Sequence, residues 1–141
     1  VTVLDTSGVV DFLLGTGVAA EVETLIEADG ESAAPDLLVF EVLAVVRRES
    51  LRGGLSVARA AAAVEDLGDL PVALLPTLAL HGRAWALRRN LTAADALFVA
   101  LAEALGEPLA TKDAALVSEA VKHARVEVIE LGRGRRPPAR R

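Results

Sequence analysis

Residues 1–15 read VTVLDTSGVVDFLLG, and this opening decides the fold class. Thr2–Leu4 is a short β-prone run, Asp5-Thr6-Ser7 ends it, and Gly8–Leu14 is helical until Gly15 stops it. Strand, polar turn and helix in so few residues are the start of a parallel α/β construction, and the same alternation continues along the chain. Val18–Ala28 has helical periodicity, with Val18, Val22, Leu25 and Ile26 on one face, and Asp29-Gly30 closes it. A strand near Ser32–Ala34 precedes Pro35-Asp36, which starts a long helix from Leu37 to about Leu51. Beyond Gly53-Gly54, Ser56 caps an Ala-rich helix to about Leu67, and Val72–Leu75 is a strand between two prolines. Leu78–Arg89 and Ala93–Leu105 read as helices, Pro108–Ala110 as a buried strand and Asp113–Ala124 as a helix. Val126–Leu131 is the fifth and last strand, expected at a sheet edge. Residues 1–131 therefore form one domain, and 132–141, with a Pro-Pro pair and five arginines, a basic mobile tail.

Composition narrows the chemistry. Of 141 residues, 52% are apolar and 25% charged, and charges interrupt every apolar run before it reaches membrane-spanning length. A domain of this size buries roughly 70% of its unfolded-chain surface, so it needs neither metal nor disulfide to fold. The chain has no Cys, which excludes disulfide scaffolds, zinc–cysteine sites, iron–sulfur clusters and thiol catalysis. With one Trp, three Phe and no Tyr, it is not an aromatic base-stacking module. The N-terminal residues lack a basic segment followed by an apolar one, so a cytoplasmic location is expected. The net charge of −5 combines 15 basic with 20 acidic residues; without the five tail arginines the body carries −10. So acidic a body repels nucleic acid at long range unless cations offset it locally.

Four of the acids stand in apolar or small surroundings. Asp5 follows the first strand, Asp113 follows the fourth through Thr111-Lys112, Asp95 opens the helix after Thr92, and Glu41 lies within Leu37–Ala44. Ligand sites in open parallel sheets form beyond the carboxyl ends of the strands, where strand order reverses. Three of the acids fall at that edge, and Glu41 can project back to it from its helix. Each admits a plainer reading. Asp5-Thr6-Ser7 and Thr111-Lys112-Asp113 are adequate helix caps, and Thr92 with Asp95 resembles a capping box. Glu41, on a helix apolar nearly all round, is expected to be buried and to need a partner. Taken together, four converging carboxylates cannot all stay ionised without a cation. Mg²⁺ or Mn²⁺ suits such an all-oxygen set, and a bound ion activates water and stabilises a departing phosphodiester oxygen. Ser7 and Thr111 are natural supporting hydroxyls.

In these segments the chain resembles PIN-domain ribonucleases, specifically VapC-type toxins of bacterial toxin–antitoxin pairs. The matching pieces are Val3-Leu4-Asp5-Thr6-Ser7, Pro35 to Val42, Leu91-Thr92-Ala93-Ala94-Asp95-Ala96 and Leu109-Ala110-Thr111-Lys112-Asp113. Each is weak alone; the ordered set, spanning the chain up to Leu131, is fairly specific. The resemblance implies a three-layer α/β/α fold around a mainly parallel sheet and an Mg²⁺- or Mn²⁺-dependent endoribonuclease. It also implies a homodimer and a small cognate antitoxin whose C-terminal segment covers the site. Asp5, Glu41, Asp95 and Asp113 take the family's acidic positions, with Ser7 and Thr111 in its supporting ones; the basic tail falls outside the pattern.

Arg48 stands seven residues after Glu41, about 700° of helix and within roughly 20° of the same face. It is a candidate contact for RNA phosphate or an antitoxin carboxylate, against the plainer reading of a solvated helix end. Arg83, Arg88 and Arg89 read as a solvated basic face, Trp85 as core or dimer interface, and the tail as a solubilising end or a non-specific RNA contact. Two other readings compete with the nuclease: a non-catalytic module acting through antitoxin or other protein binding, and a phosphotransfer domain with Asp5 as nucleophile. The second lacks the other Asp of a D-x-D start.

Overall fold

The computed structural model describes residues 1–140. Six strands form: β1 (Thr2–Leu4), β2 (Ser32–Pro35), β3 (Val72–Leu75), β4 (Leu109–Thr111), β5 (Val128–Glu130) and β6 (Gly134–Arg136). Seven helices separate them: α1 (Thr6–Leu14), α2 (Ala19–Asp29), α3 (Leu37–Arg52), α4 (Val57–Leu67), α5 (His81–Ala86), α6 (Ala93–Leu105) and α7 (Ala114–His123). The strand order is β3-β2-β1-β4-β5-β6, parallel throughout except that β6 runs antiparallel to β5. Val3 pairs with Ala33 on one side and Leu109 on the other, so β1 and β4 lie side by side at the centre. There the chain order reverses: β1 leads outward through β2 to β3, and β4 outward to β5.

Right-handed crossovers require helices of the two halves to pack on opposite faces. Accordingly α1 contacts α2, α3 and α4, whereas α5 packs on α6, and α7 on β4 and β5. This is the three-layer α/β/α arrangement. Strands covered on both faces read as uninterrupted apolar runs, and Val3, Ala34, Leu109, Ala110 and Val128 are fully buried. α6 touches β1, β2 and β4, and its Phe98, the largest fully buried side chain, anchors it across the sheet centre. Asp95, one turn before Phe98, is thereby held over the carboxyl end of β1. Among the described residues no helix is long and apolar enough to cross a membrane.

Four expectations need correction. The sheet has six strands, and the fifth is interior to the sixth. Glu130 pairs with Gly134 and Val128 with Arg136 in β6, so part of the segment expected to be a mobile tail is an edge strand. Charge complementarity explains the pairing. Glu130, only 7% exposed, is flanked by Arg133 at 3.8 Å and Arg136 at 3.5 Å, and Glu127 pairs with Arg135. Arg141, the last of the five arginines, lies outside the described residues. The helix expected over Leu78–Arg89 divides into a 3₁₀ turn at Leu78–Leu80 and the short α5. Trp85 on α5 is 68% exposed and so is not core.

Deleting residues 132–141 should lower unfolding stability by about 1–2 kcal/mol, because Glu130 loses both of its cations. In the shortened chain Glu130→Gln should recover part of that loss, while in the full chain it should not stabilise. Denaturant titration of the four proteins tests this; equal midpoints for full and shortened chains would mean that β6 contributes nothing.

Candidate active site

The turn after β1 holds Asp5 at the first cap position of α1 with extended backbone, yet its side chain makes no capping bond. The carboxylate points across to β4 instead. Thr111 Oγ1 donates to Asp5 Oδ2 at 2.7 Å and Ser7 Oγ donates to the same oxygen at 3.0 Å. The two hydroxyls stand 3.4 Å apart, and the Lys112 N–H donates to Ser7 Oγ at 3.2 Å. Parallel pairing of β1 with β4, including an Asp5 N–H bond to the Ala110 carbonyl at 2.9 Å, fixes this juxtaposition. Asp5 is buried, and burial lifts its carboxyl above the ordinary value; Asp113 adds to the lift, against hydrogen bonds from Thr111, Ser7 and the Thr6 backbone.

The other acids reach the same edge by different tethers. Thr92 Oγ1 caps α6 by accepting from the Asp95 N–H at 3.1 Å, which sets Asp95 in the first turn, half-buried. Burial lifts the Asp95 carboxyl most and the Asp5 charge next; Thr92 opposes them, Asp113 and Glu41 add further lift, and the group rests at about 6. Asp113 caps α7, Oδ1 accepting from the Ala115 N–H at 3.0 Å and the Leu116 N–H at 3.2 Å. Its own N–H donates to Thr111 Oγ1 at 3.1 Å. The capping readings thus hold for Thr92 and Asp113 and fail for Asp5.

Glu41 departs from its expected environment. It is half-buried, because α3 exposes Phe40 and Leu43 on the surface beside it. Its partner is Thr6, whose Oγ1 donates to Glu41 Oε1 at 2.6 Å. Thr6 went unassigned in the sequence although it stands inside Asp5-Thr6-Ser7; only the distance across the fold reveals its role. Lys112 is the second such residue. Its ammonium turns away from the four acids to Asp11 Oδ2 at 2.7 Å. Burial tends to raise Asp11, but Lys112, the Val18 N–H and Thr16 overcome it and hold the carboxyl below its ordinary value. Gly17, at φ +50°, leaves the space this carboxylate occupies. Arg48 stays on the exposed face of α3, 3.9 Å from Glu49, and reaches none of the four acids.

Asp5, Asp95, Asp113 and Glu41 therefore share one electrostatic environment, oriented by hydroxyls and backbone N–H groups, with no basic side chain bonded to any of them among the described residues. They are not drawn into a closed cage: no group of three or more His, Asp or Glu side chains is gathered at metal-holding range among the described residues. The donor set is all oxygen and its charge is uncompensated, which fits a hard divalent cation such as Mg²⁺ or Mn²⁺ and no soft metal.

A family model described as PIN domain matches residues 2–122. Ribonuclease VapC1 of Mycobacterium tuberculosis is 40% identical over 117 residues, 82% of this chain and 88% of that protein. Ribonuclease VapC12 of the same species is 34% identical over 128 residues, 90% and 98% of the respective chains. The crystal structure of PAE2754 from Pyrobaculum aerophilum superimposes with a TM-score of 0.62 at 22% identity, covering 84% of this chain and 78% of that one. That last likeness is one of fold.

The raised Asp95 carboxyl sets a sign for pH dependence. Between pH 3.8, the ordinary value, and about 6, the native protein binds more protons at Asp95 than the unfolded chain does, so this group's contribution to stability falls as pH rises. In a chelating buffer, Asp95→Asn should raise the unfolding temperature, and its advantage over the wild type should widen across that window. An advantage that is constant or shrinks with rising pH contradicts the shared environment.

Proposed function

Because the chain belongs to the PIN-domain family, we propose that it is a divalent-metal-dependent endoribonuclease that hydrolyses RNA phosphodiester bonds. We place it as the toxin of a type II toxin–antitoxin pair. The observation that carries this reading is the common environment of Asp5, Asp95, Asp113 and Glu41 at the reversal between β1 and β4, four acids without a basic partner. Asp5, Glu41, Asp95 and Asp113 would hold Mg²⁺ or Mn²⁺, and such an ion supplies an activated water and stabilises the departing oxygen. The chain's own residues set the geometry in advance. Ser7 and Thr111 fix one Asp5 oxygen, Thr6 fixes one Glu41 oxygen, and the start of α7 fixes one Asp113 oxygen. Hydrolysis adds the water oxygen to phosphorus, breaks the bond to the ribose oxygen and returns a proton to it. The half-buried Asp95 carboxyl, at about 6 without a cation, and the buried Asp5 carboxyl, also raised, are acids whose ionisation ion binding would favour.

A small antitoxin and a homodimer complete the proposal. An apolar groove of about 570 Å³ between α3 and α4, lined by Leu43, Val46, Ala60 and Val64, lies on the helix that carries Glu41. It supports a protein partner, with exposed Arg48 available to a partner carboxylate or an RNA phosphate. One observation favours the second reading, a non-catalytic module working through protein binding: the acids are not closed into a cage among the described residues. Calorimetry with Mg²⁺ and Mn²⁺ separates the two, since a module of that kind takes up no ion at these acids.

Purified protein should cleave RNA with Mg²⁺ or Mn²⁺ and not with EDTA. Asp5→Asn should lower the rate by about 10²-fold or more while circular dichroism stays unchanged. Undiminished cleavage by a folded Asp5→Asn protein removes the assignment, and sequencing the ends of the products names the RNA.

A further inference from the structure

Helix α5 carries the chain's one tryptophan on its surface. Trp85 is 68% exposed, and the Arg88 guanidinium lies over its ring, 4.7 Å from the centroid. Arg88 also donates to the Trp85 carbonyl oxygen at 3.1 Å, which holds the two as a unit. Nearby Arg83 is tied to Glu103 at 2.6 Å, whereas Arg88 has no acidic partner among the described residues. Tryptophan is highly buried on average, and an indole left open to water forgoes a large apolar burial. Around the pair, His81, Ala84, Leu91 and Thr92 wall a groove of about 400 Å³. Thr92 is also the residue whose hydroxyl sets the Asp95 backbone at 3.1 Å, so groove and acids meet at one side chain.

We propose that this groove is a nucleobase subsite, in which one unpaired base of the RNA stacks on Trp85 while Arg88 meets an adjoining phosphate. The proposal rests on the ribonuclease reading and adds the substrate class: single-stranded or loop RNA, because a base paired inside a helix is not free to stack on a side chain. Aromatic stacking accepts any base, so the subsite contributes affinity and position rather than sequence choice. Guanidinium over indole adds cation–π attraction and stiffens the platform. It also sets a cation on this groove in a body whose net charge repels a polyanion. A sequence with so few aromatics has no extended stacking sheet, yet one exposed indole suffices to seat one base.

Trp85 is the chain's sole tryptophan, so intrinsic fluorescence reports on this groove alone. A short mixed-sequence single-stranded oligoribonucleotide, added with Ca²⁺ to offset the acids, should quench it, and a fully paired duplex of the same sequence should not. In steady-state cleavage of the same oligonucleotide, W85A should raise KM about tenfold with kcat within about twofold, and W85F should restore most of the affinity. R88A should weaken binding and make it less sensitive to salt. Light scattering should give wild type and W85A the same molar mass. Unquenched fluorescence with an oligonucleotide that the wild type cleaves, or an unchanged KM in W85A, overturns the subsite and leaves the ribonuclease reading standing. A fall in molar mass in W85A that tracks its loss of activity assigns the indole to a contact between two copies and likewise overturns it. A wild-type protein that cleaves no RNA but is quenched by single strands keeps the subsite and loses the ribonuclease reading; with neither, both fall.

Discussion

Negative charge gathered where β1 and β4 part is the constraint on which the rest of the structure depends. Parallel pairing brings the ends of the two strands side by side, and each is followed by an acid within two residues. The basic residue adjacent in sequence, Lys112, is bound to Asp11 instead, so neutralisation does not come from within the site. What holds the carboxylates is a set of neutral donors: two hydroxyls on Asp5, one on Glu41, two backbone N–H groups on Asp113. Such donors orient a carboxylate without cancelling its charge. The repulsion that remains is seen in Asp95, lifted to about 6 by burial and by its acidic neighbours. Stability is surrendered here, as it often is at functional sites.

The tethers differ because the four acids arrive on four different elements. Asp5 stands at a cap position and leaves the cap unmade, so the start of α1 goes without its side-chain bond while the carboxylate serves Thr111 and Ser7. Asp113 does both tasks, one oxygen closing the first turn of α7 and the other free to face its neighbours. Asp95 leaves the capping of α6 to Thr92. This division follows from depth. Asp5 is buried and must have its hydrogen bonds satisfied by the protein, whereas exposed Asp113 can share itself with solvent.

Strand–acid–helix punctuation made the parallel sheet and the order of the four acids legible from the sequence, because apolar runs and turn residues are local signals. Long-range pairings were not legible. Gly134-Arg135-Arg136 has little β-forming character, and its pairing with β5 is accompanied by the opposite charges of Glu130 and of Glu127 just before that strand. Composition alone therefore makes this segment look mobile. Glu41 was expected deep in the protein because its helix is apolar on nearly every side. A helix whose Phe40 and Leu43 face outward gives the same pattern, and periodicity does not say which apolar face lacks a cover within the chain. Thr6 and Lys112 were likewise silent: one hydroxyl and one ammonium acquire their roles from partners 35 and 101 positions away.

Net charge proves a poor guide to such a molecule, since its balance is kept locally. Residues 132–141 hold a third of the basic residues, but Arg133, Arg135 and Arg136 answer Glu130 and Glu127 within the sheet edge and offer little free positive surface. Among the described residues other cations, Arg47, Arg88, Arg89 and Lys122 included, form no ion pair, and Arg48 makes only a long one. Arg88 sits on the indole beside Asp95's helix, and Arg48 lies on α3 with its nearest acid at 3.9 Å. A polyanion cannot be drawn to this body by a broad positive field, so attraction has to be made at contact range. On the reading proposed above it would come from a hard cation at the four acids, single arginines and a stacked base, and such short-range terms discriminate by shape and strandedness where a diffuse field does not.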